Sequence, residues 1–101
     1  MVNPYLGEVS LVIDGAPQTL RLTLGRLAVL EQALGEDSLV ALVERFETGR
    51  FAARDLLALL AAGLGVEASA LADAEIEGGA VEAARVAAQL LKLTFQMPEG
   101  A

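Results

Sequence analysis

A helix that is apolar nearly all round cannot lie on a protein surface, and this chain contains one. Ala53 to Ala62 carries Leu56, Leu57, Leu59 and Leu60, which cover more than one face of a helical repeat. Such an element has to be the buried centre of the fold, with other elements packed round it. Asp55 near its start suits the positive end of the helix dipole, and Gly63 and Gly65 close it. Just upstream, Leu39, Leu42, Val43 and Phe46 stand at i, i+3, i+4 and i+7, the pattern of a helix with one buried face. Glu44, Arg45 and Glu47 fill its wet side, and Thr48-Gly49-Arg50 ends it. The stretch from Asp37 to Leu64 is therefore a pair of helices joined by a short turn, and the rest of the chain must be arranged around it.

The enclosing elements lie on either side. Glu8 to Ile13 and Gln18 to Thr23 read as strands. In the first, Val9, Leu11 and Ile13 alternate with Glu8, Ser10 and Val12; in the second, Leu20, Leu22 and Leu24 alternate with Thr19, Arg21 and Thr23. Asp14-Gly15-Ala16-Pro17 lies between them, and Asp-Gly is a strong hairpin signal because glycine accepts positive φ at little cost. An isolated hairpin is marginal in water, so its apolar face must pack on helices or pair with another chain. Gly25 to Leu34 follows helical spacing through Leu24, Leu27, Leu30 or Glu31, and Leu34, with Gly35 as C-cap and Asp37 or Ser38 as N-cap of the next helix. After the central pair, Leu71 to Ile76 is expected to hold a short helix, and Gly78-Gly79 forms a joint. Glu67, Asp73, Glu75 and Glu77 in this region read as a solvated face. Ala80 to Phe95 is the last helix, with Val81, Ala84, Ala88, Leu91 and Phe95 at helical spacing, joined by Ala87 and Leu90. Small residues line much of it, so a neighbouring helix can approach closely. Residues 1–7 and 97–101 read as loose ends, although Tyr5 and Leu6 could dock on the domain. The expected fold is α+β, mostly α: an N-terminal β-hairpin packed on a bundle of about four helices, in a single domain over residues 1–101.

The residue types that are missing narrow the chemistry. The chain has no histidine and no cysteine. A Ser-His or Cys-His pair, a disulfide, a thiolate metal site and a histidine zinc ligand are all excluded. Aspartate and glutamate could do acid–base or Mg²⁺ work, but they form no clustered motif. No catalytic residue, cofactor or metal is expected, and the chain reads as a non-enzyme. Its net charge of −7, from 14 acidic and 7 basic residues, repels phosphate, so neither nucleic acid nor an anionic membrane is an expected partner. The longest apolar stretches, such as Leu56 to Val66, are too short to span a bilayer. Met1-Val2-Asn3-Pro4 lacks the basic and apolar regions of a secretion signal, so the expected location is the bacterial cytoplasm. Apolar residues make up 54%, much of it Ala and Leu, which points to a partner protein or a homo-oligomer covering what one small domain leaves exposed.

Several local patterns have plain structural readings. Gly63-Leu64-Gly65 lacks the further glycine and the lysine of a phosphate loop, and it ends a helix instead of opening one. Glu44, Glu47 and Asp55 have ordinary helix-surface spacing, which favours a solvated face over a metal cluster. Arg45, Arg50 and Arg54 gather around the turn of the central pair, where local pairing with acids outweighs a partner contact. Gly35-Glu36-Asp37-Ser38-Leu39 resembles the Asp-Ser-Leu signature of acyl and peptidyl carrier proteins, whose serine carries phosphopantetheine and begins a helix. Leu42-Val43 and Phe46 continue the likeness. Carrier proteins, however, open with a helix where this chain has a hairpin, and helix capping alone explains Asp37 and Ser38.

The whole ordering carries a second resemblance. Asn3-Pro4 and Gly7-Glu8-Val9 lead into the Asp14-Gly15 turn, and Leu20-Arg21-Leu22-Thr23-Leu24-Gly25 runs into a helix bearing Leu30-Glu31. Ser38-Leu39, Leu42-Val43, Phe46, Gly49-Arg50-Phe51 and the run from Asp55 to Leu64 follow. Over about residues 3–95, less closely after Val66, this is similar to the gene-transfer-agent family of small phage-tail proteins, found in defective-prophage tail clusters of alphaproteobacteria. The family has been described both as a tail tube protein and as a tail assembly chaperone. Tube subunits are mostly β, so one hairpin and four helices favour the chaperone. The resemblance then implies a non-catalytic protein that binds the tape measure protein, and in some settings the tail tube protein, during tail assembly. Leu57, Leu60, Leu64, Leu90 and Leu91 are the expected contact residues, on helices spanning Ser38 to Leu64 and Ala80 to Phe95. The hairpin edge is a further possible contact. A structural tail tube subunit, which would be virion-associated, is the first alternative, and a carrier protein modified on Ser38 the second.

Overall fold

The computed structural model describes residues 7–33 and 39–95. Along them run β1 (Val9–Ile13), β2 (Ala16–Leu20), α1 (Leu24–Ala33), α2 (Leu39–Thr48), α3 (Ala53–Leu64), a 3₁₀ turn at Ala68–Leu71, and α4 (Gly79–Phe95). A hairpin followed by four helices is the mostly α, α+β architecture expected. The docking of Tyr5 and Leu6, the last residue Leu34 of the first helix, the caps Gly35, Asp37 and Ser38, and the tail 97–101 lie outside the described residues.

Asp14 and Gly15 have φ of 52° and 79°, the pair of positive values that a two-residue type I′ turn requires. The turn is therefore tighter than the four-residue break expected. Ala16 and Pro17 belong to β2, opposite Ile13 and Val12. β1 buries Val9, Leu11 and Ile13, and β2 buries Leu20. β2 also stops at Leu20 instead of Thr23. Leu24, read as part of the apolar hairpin face, is 85% exposed as the first residue of α1. The reason is a helix cap inside the expected strand: Thr23 Oγ1 accepts the Arg26 amide at 3.2 Å.

The short helix expected over Leu71 to Ile76 is not formed. The 3₁₀ turn ends at Leu71, and Ile76 makes a bridge with Ile13 on the other side of β1. The Asp14 amide donates to the Glu75 carbonyl at 2.7 Å, and the Glu77 amide donates to the Val12 carbonyl at 3.1 Å. The Asp14 carboxylate accepts the Glu75 amide at 2.9 Å. The open edge of β1 offers this segment its backbone partners. Glu67, Asp73, Glu75 and Glu77 are exposed, as a solvated face requires.

α3 is the centre its apolar pattern demands. Leu59, Leu60, Ala61, Ala62 and Gly63 are buried, and the helix packs against α1, α4, β2 and the 3₁₀ turn. It ends in a Schellman motif. Gly65 is left-handed at φ 76°, its amide donates to the Ala62 carbonyl at 3.1 Å, and the Val66 amide donates to the Ala61 carbonyl at 3.0 Å. Gly63 has a different task from Gly65. A β-carbon there would lie 2.9 Å from Leu90 Cδ2 and 3.1 Å from Leu20 Cβ. Its carbonyl accepts the Arg21 amide at 2.9 Å and Arg26 Nη1 at 2.9 Å. The hairpin and α1 are thereby fastened to the end of α3.

α4 packs through Ala83, Val86, Ala87, Leu90 and Leu91. This face is rotated from the one expected. Val81 is 83% exposed, and Ala84 and Ala88 are only half-buried.

Two glycines on helices separate backbone preference from packing. Gly25→Ala, where a β-carbon meets nothing within 4 Å, is expected to raise stability by up to about 1 kcal/mol through helix propensity. Gly63→Ala gains the same preference but overpacks against the fully buried Leu20 and Leu90, so a net loss of about 1–2 kcal/mol is expected. Urea midpoints of the two variants, moving in opposite directions, check this.

Candidate functional site

The site is built from the corner between α2 and α3. Gly49 is left-handed at φ 74°, and the Arg50 amide donates to the Arg45 carbonyl at 2.8 Å, which ends α2 cleanly. Phe46 and Phe51 stack across the turn with ring centroids 4.4 Å apart and planes 4° from parallel. Asp55 accepts the Ala52 amide at 2.8 Å, the acidic half of a capping box. The same carboxylate receives Arg45 Nε at 3.2 Å and Nη2 at 3.4 Å. Asp55 is 4% exposed and is the buried charged residue among those described. It caps α3 and ties α2 to it at once.

This pairing settles how the corner's charges are used. Arg45 is engaged by Asp55, while Arg50 and Arg54 are exposed. Asp55 faces Arg45 and its own helix start, whereas Glu44 and Glu47 are exposed, so the three acids do not converge. Among the described residues no group of three or more acidic side chains could hold a metal ion, and no helix is long and apolar enough to cross a membrane.

With the corner fixed, α2 and α4 leave an open groove of about 500 Å³ between them. Val43, Phe46 and Glu47 line it from α2, and Ala88, Leu91, Lys92 and Phe95 line it from α4. Phe46 and Leu91 are 8% and 2% exposed and form the floor, while Phe95 is 44% exposed. The lining is apolar apart from one acid and one base. Among the described residues it contains no hydroxyl, thiol or imidazole to act as a nucleophile, and it is suited to holding apolar side chains of another molecule. A second recess, of about 460 Å³, sits by the hairpin turn with Asp14, Glu75 and Glu77 in its wall. There the Asp14 carboxylate is committed to the Glu75 amide.

Elsewhere on α4, Glu82 and Arg85 form an exposed pair at 2.6 Å. The hydrogen bond from Arg85 holds the Glu82 carboxyl below the usual glutamate range and raises the Arg85 guanidinium.

The five expected contact residues divide. Leu60, Leu90 and Leu91 are buried in the core, and Leu57 and Leu64 are half-buried. Of these, Leu91 alone lines the groove. Val43, Phe46, Glu47, Ala88, Lys92 and Phe95 were not singled out as contacts. By sequence spacing Val43 and Phe46 belong to a core face, and Phe95 ends another. The usable signal was that both faces reach the ends of their helices, where fewer elements remain to cover them.

Residues 6–97 match the model of a family described as phage tail tube protein, GTA-gp10. No curated protein and no solved structure matches the chain significantly.

Two substitutions test the construction of the site. Asp55→Ala removes a helix cap and leaves a partly buried arginine without this carboxylate, and a loss of about 1–3 kcal/mol is expected in chemical denaturation. Leu90→Ala, in the core, is expected to lower stability by about 2–5 kcal/mol. Phe95→Ala, at the groove, should lower it by well under half as much, which compares core and groove positions on a single helix.

Proposed function

The chain belongs to the phage tail tube protein family of the GTA-gp10 type, and from that we propose that it acts as a tail assembly chaperone. In this reading it is a non-catalytic protein that holds apolar helical segments of the tape measure protein until tube subunits polymerise around them. The observation that carries the reading is the open apolar groove between α2 and α4. A protein that coats a long, aggregation-prone helical partner needs such a groove, together with an acidic exterior that keeps the complex dispersed. The net charge of −7 supplies the second. The tail tube protein is a further partner during hand-over, and the chaperone would act in the host cell before the particle is finished.

A structural tube subunit fits the family description equally well. Against it stands the small amount of sheet. Among the described residues, β1 and β2 pair with each other and one bridge at Ile76 extends them. In the observed register Ile13 and Ala16 close the turn, so Pro17 faces the open edge of β2. Proline has no amide to donate there, which blunts that edge against strand addition.

The test is co-expression with the tape measure protein encoded beside this chain, followed by pull-down and sizing. A soluble stoichiometric complex, with the tape measure protein insoluble when this chain is omitted, is the expected result. Absence of any complex, with this chain assembling into rings by itself, would replace the chaperone by the tube subunit.

A further inference from the structure

The α2–α4 groove also carries information about the shape and charge of what it binds. This step rests on the groove being the partner site proposed above. Its walls are two helices whose backbone groups, apart from the carbonyls of their last turns, are hydrogen-bonded within them. A strand or an irregular segment laid in the groove would leave its own backbone amides and carbonyls without partners, whereas a helix brings them satisfied. From Ala88 to Phe95 the wall of α4 extends about 10 Å at the helical rise, or about two turns. That length admits apolar anchors at i, i+3 or i+4, and i+7. Ala88 is small enough for the visiting helix to come close, over a floor of Phe46 and Leu91.

The rim adds polarity. Glu47 stands on the α2 wall and Lys92 on the α4 wall. The nearby arginine of α2 is bound to Asp55, and the arginine of α4 is bound to Glu82. The two walls thus present opposite charges to whatever lies between them. Among the described residues, a second copy of this chain offers a poor occupant. Its exposed large apolar residues include Leu24 and Val29 on α1, Val40 on α2 and Val81 and Phe95 on α4. None of these sets forms a two-turn stripe at i, i+3 or i+4, and i+7.

We infer that the groove takes a two-turn amphipathic helix of another protein, with three apolar anchors flanked by basic residues on one side and acidic residues on the other. Glu47 selects the basic flank and Lys92 the acidic one. The probes are labelled peptides of about 18 residues, long enough to be helical in isolation. All share one leucine stripe, and their flanks are Lys/Glu, Lys/Lys or Glu/Glu. Binding is read by fluorescence anisotropy. The unaltered protein should prefer the Lys/Glu peptide. Glu47→Lys should shift preference toward Glu/Glu, and Lys92→Glu toward Lys/Lys, each by about three- to tenfold. The double variant should restore the Lys/Glu preference. Glu31→Lys, an exposed change on α1, alters net charge by the same amount as Glu47→Lys and should leave the ranking as it was. An unchanged ranking in the groove variants, or a shift matched by Glu31→Lys, overturns the flank assignment.

Ala88→Phe, which fills the groove, tells that failure from failure of the site itself. Phe95→Ser serves instead if circular dichroism finds Ala88→Phe unfolded. Loss of all peptide binding in the filled variant, with insensitive rim variants, removes the flank assignment alone. Binding that survives the filling, or no peptide binding to the unaltered protein, removes the groove as the partner site and the inference with it.

Discussion

Gly63 has no side chain, and the hairpin and two further helices close on α3 there. Leu20 of β2 and Leu90 of α4 come within the space a β-carbon would occupy. The Gly63 carbonyl, left without a partner by the ending of α3, receives the Arg21 amide and the Arg26 guanidinium. Arg26 also donates to the Arg21 carbonyl at 3.0 Å, so a single α1 side chain joins the strand exit to the helix end. It covers Gly65 so closely that a β-carbon there would fall 2.7 Å from its Nη2. A marginal hairpin becomes part of a cooperative unit because its last residues complete the capping of the central helix.

The opposite end of α3 is fastened by charge. Asp55 caps the helix and holds Arg45 of α2, while the Phe46–Phe51 stack fills the corner between them. With both ends of α3 fixed, α4 lies against its C-terminal end through Leu90, and α2 also meets α4. The groove lies between α2, tied to α3 by the Arg45–Asp55 pair, and α4, packed on α3 beside Gly63. It is a feature of rigid elements and not of a loop, which suits a surface that must recognise shape.

The central features were legible because they depend on local pattern. An all-round apolar helix had to be the core, a Leu39–Leu42–Val43–Phe46 spacing had to be a helix face, and Asp14-Gly15 had to be a tight turn. What was not legible depended on contacts distant in sequence. The segment around Ile76 becomes extended because β1 has an open edge, which no window around Leu71 to Ile76 contains. Thr23 continues a strand alternation, yet it caps a helix, because the Arg21 amide has already left the hairpin for the Gly63 carbonyl. Gly63 reads as a helix stop, whereas its role is to let Leu20 and Leu90 approach. Three of the expected contact residues, Leu60, Leu90 and Leu91, lie in the core for a related reason. Leu60 and Leu90 looked surplus to a core whose other walls, β1 and β2, could not be located against α4 from sequence, and burial took them. The groove instead uses side chains at the ends of faces, Phe95 above all.

Family membership places the chain among phage tail proteins, and the chaperone reading gives the groove, the acidic exterior and the blunted edge of β2 one common purpose. That reading separates from its rival most directly in the finished particle. Quantitative mass spectrometry of purified tails, beside the lysate they came from, is the measurement. The account predicts this chain in the lysate, bound to the tape measure protein, and absent from tails that contain tape measure and tube proteins. Finding it in the tails in many copies per tape measure protein would contradict the chaperone and make it part of the tube.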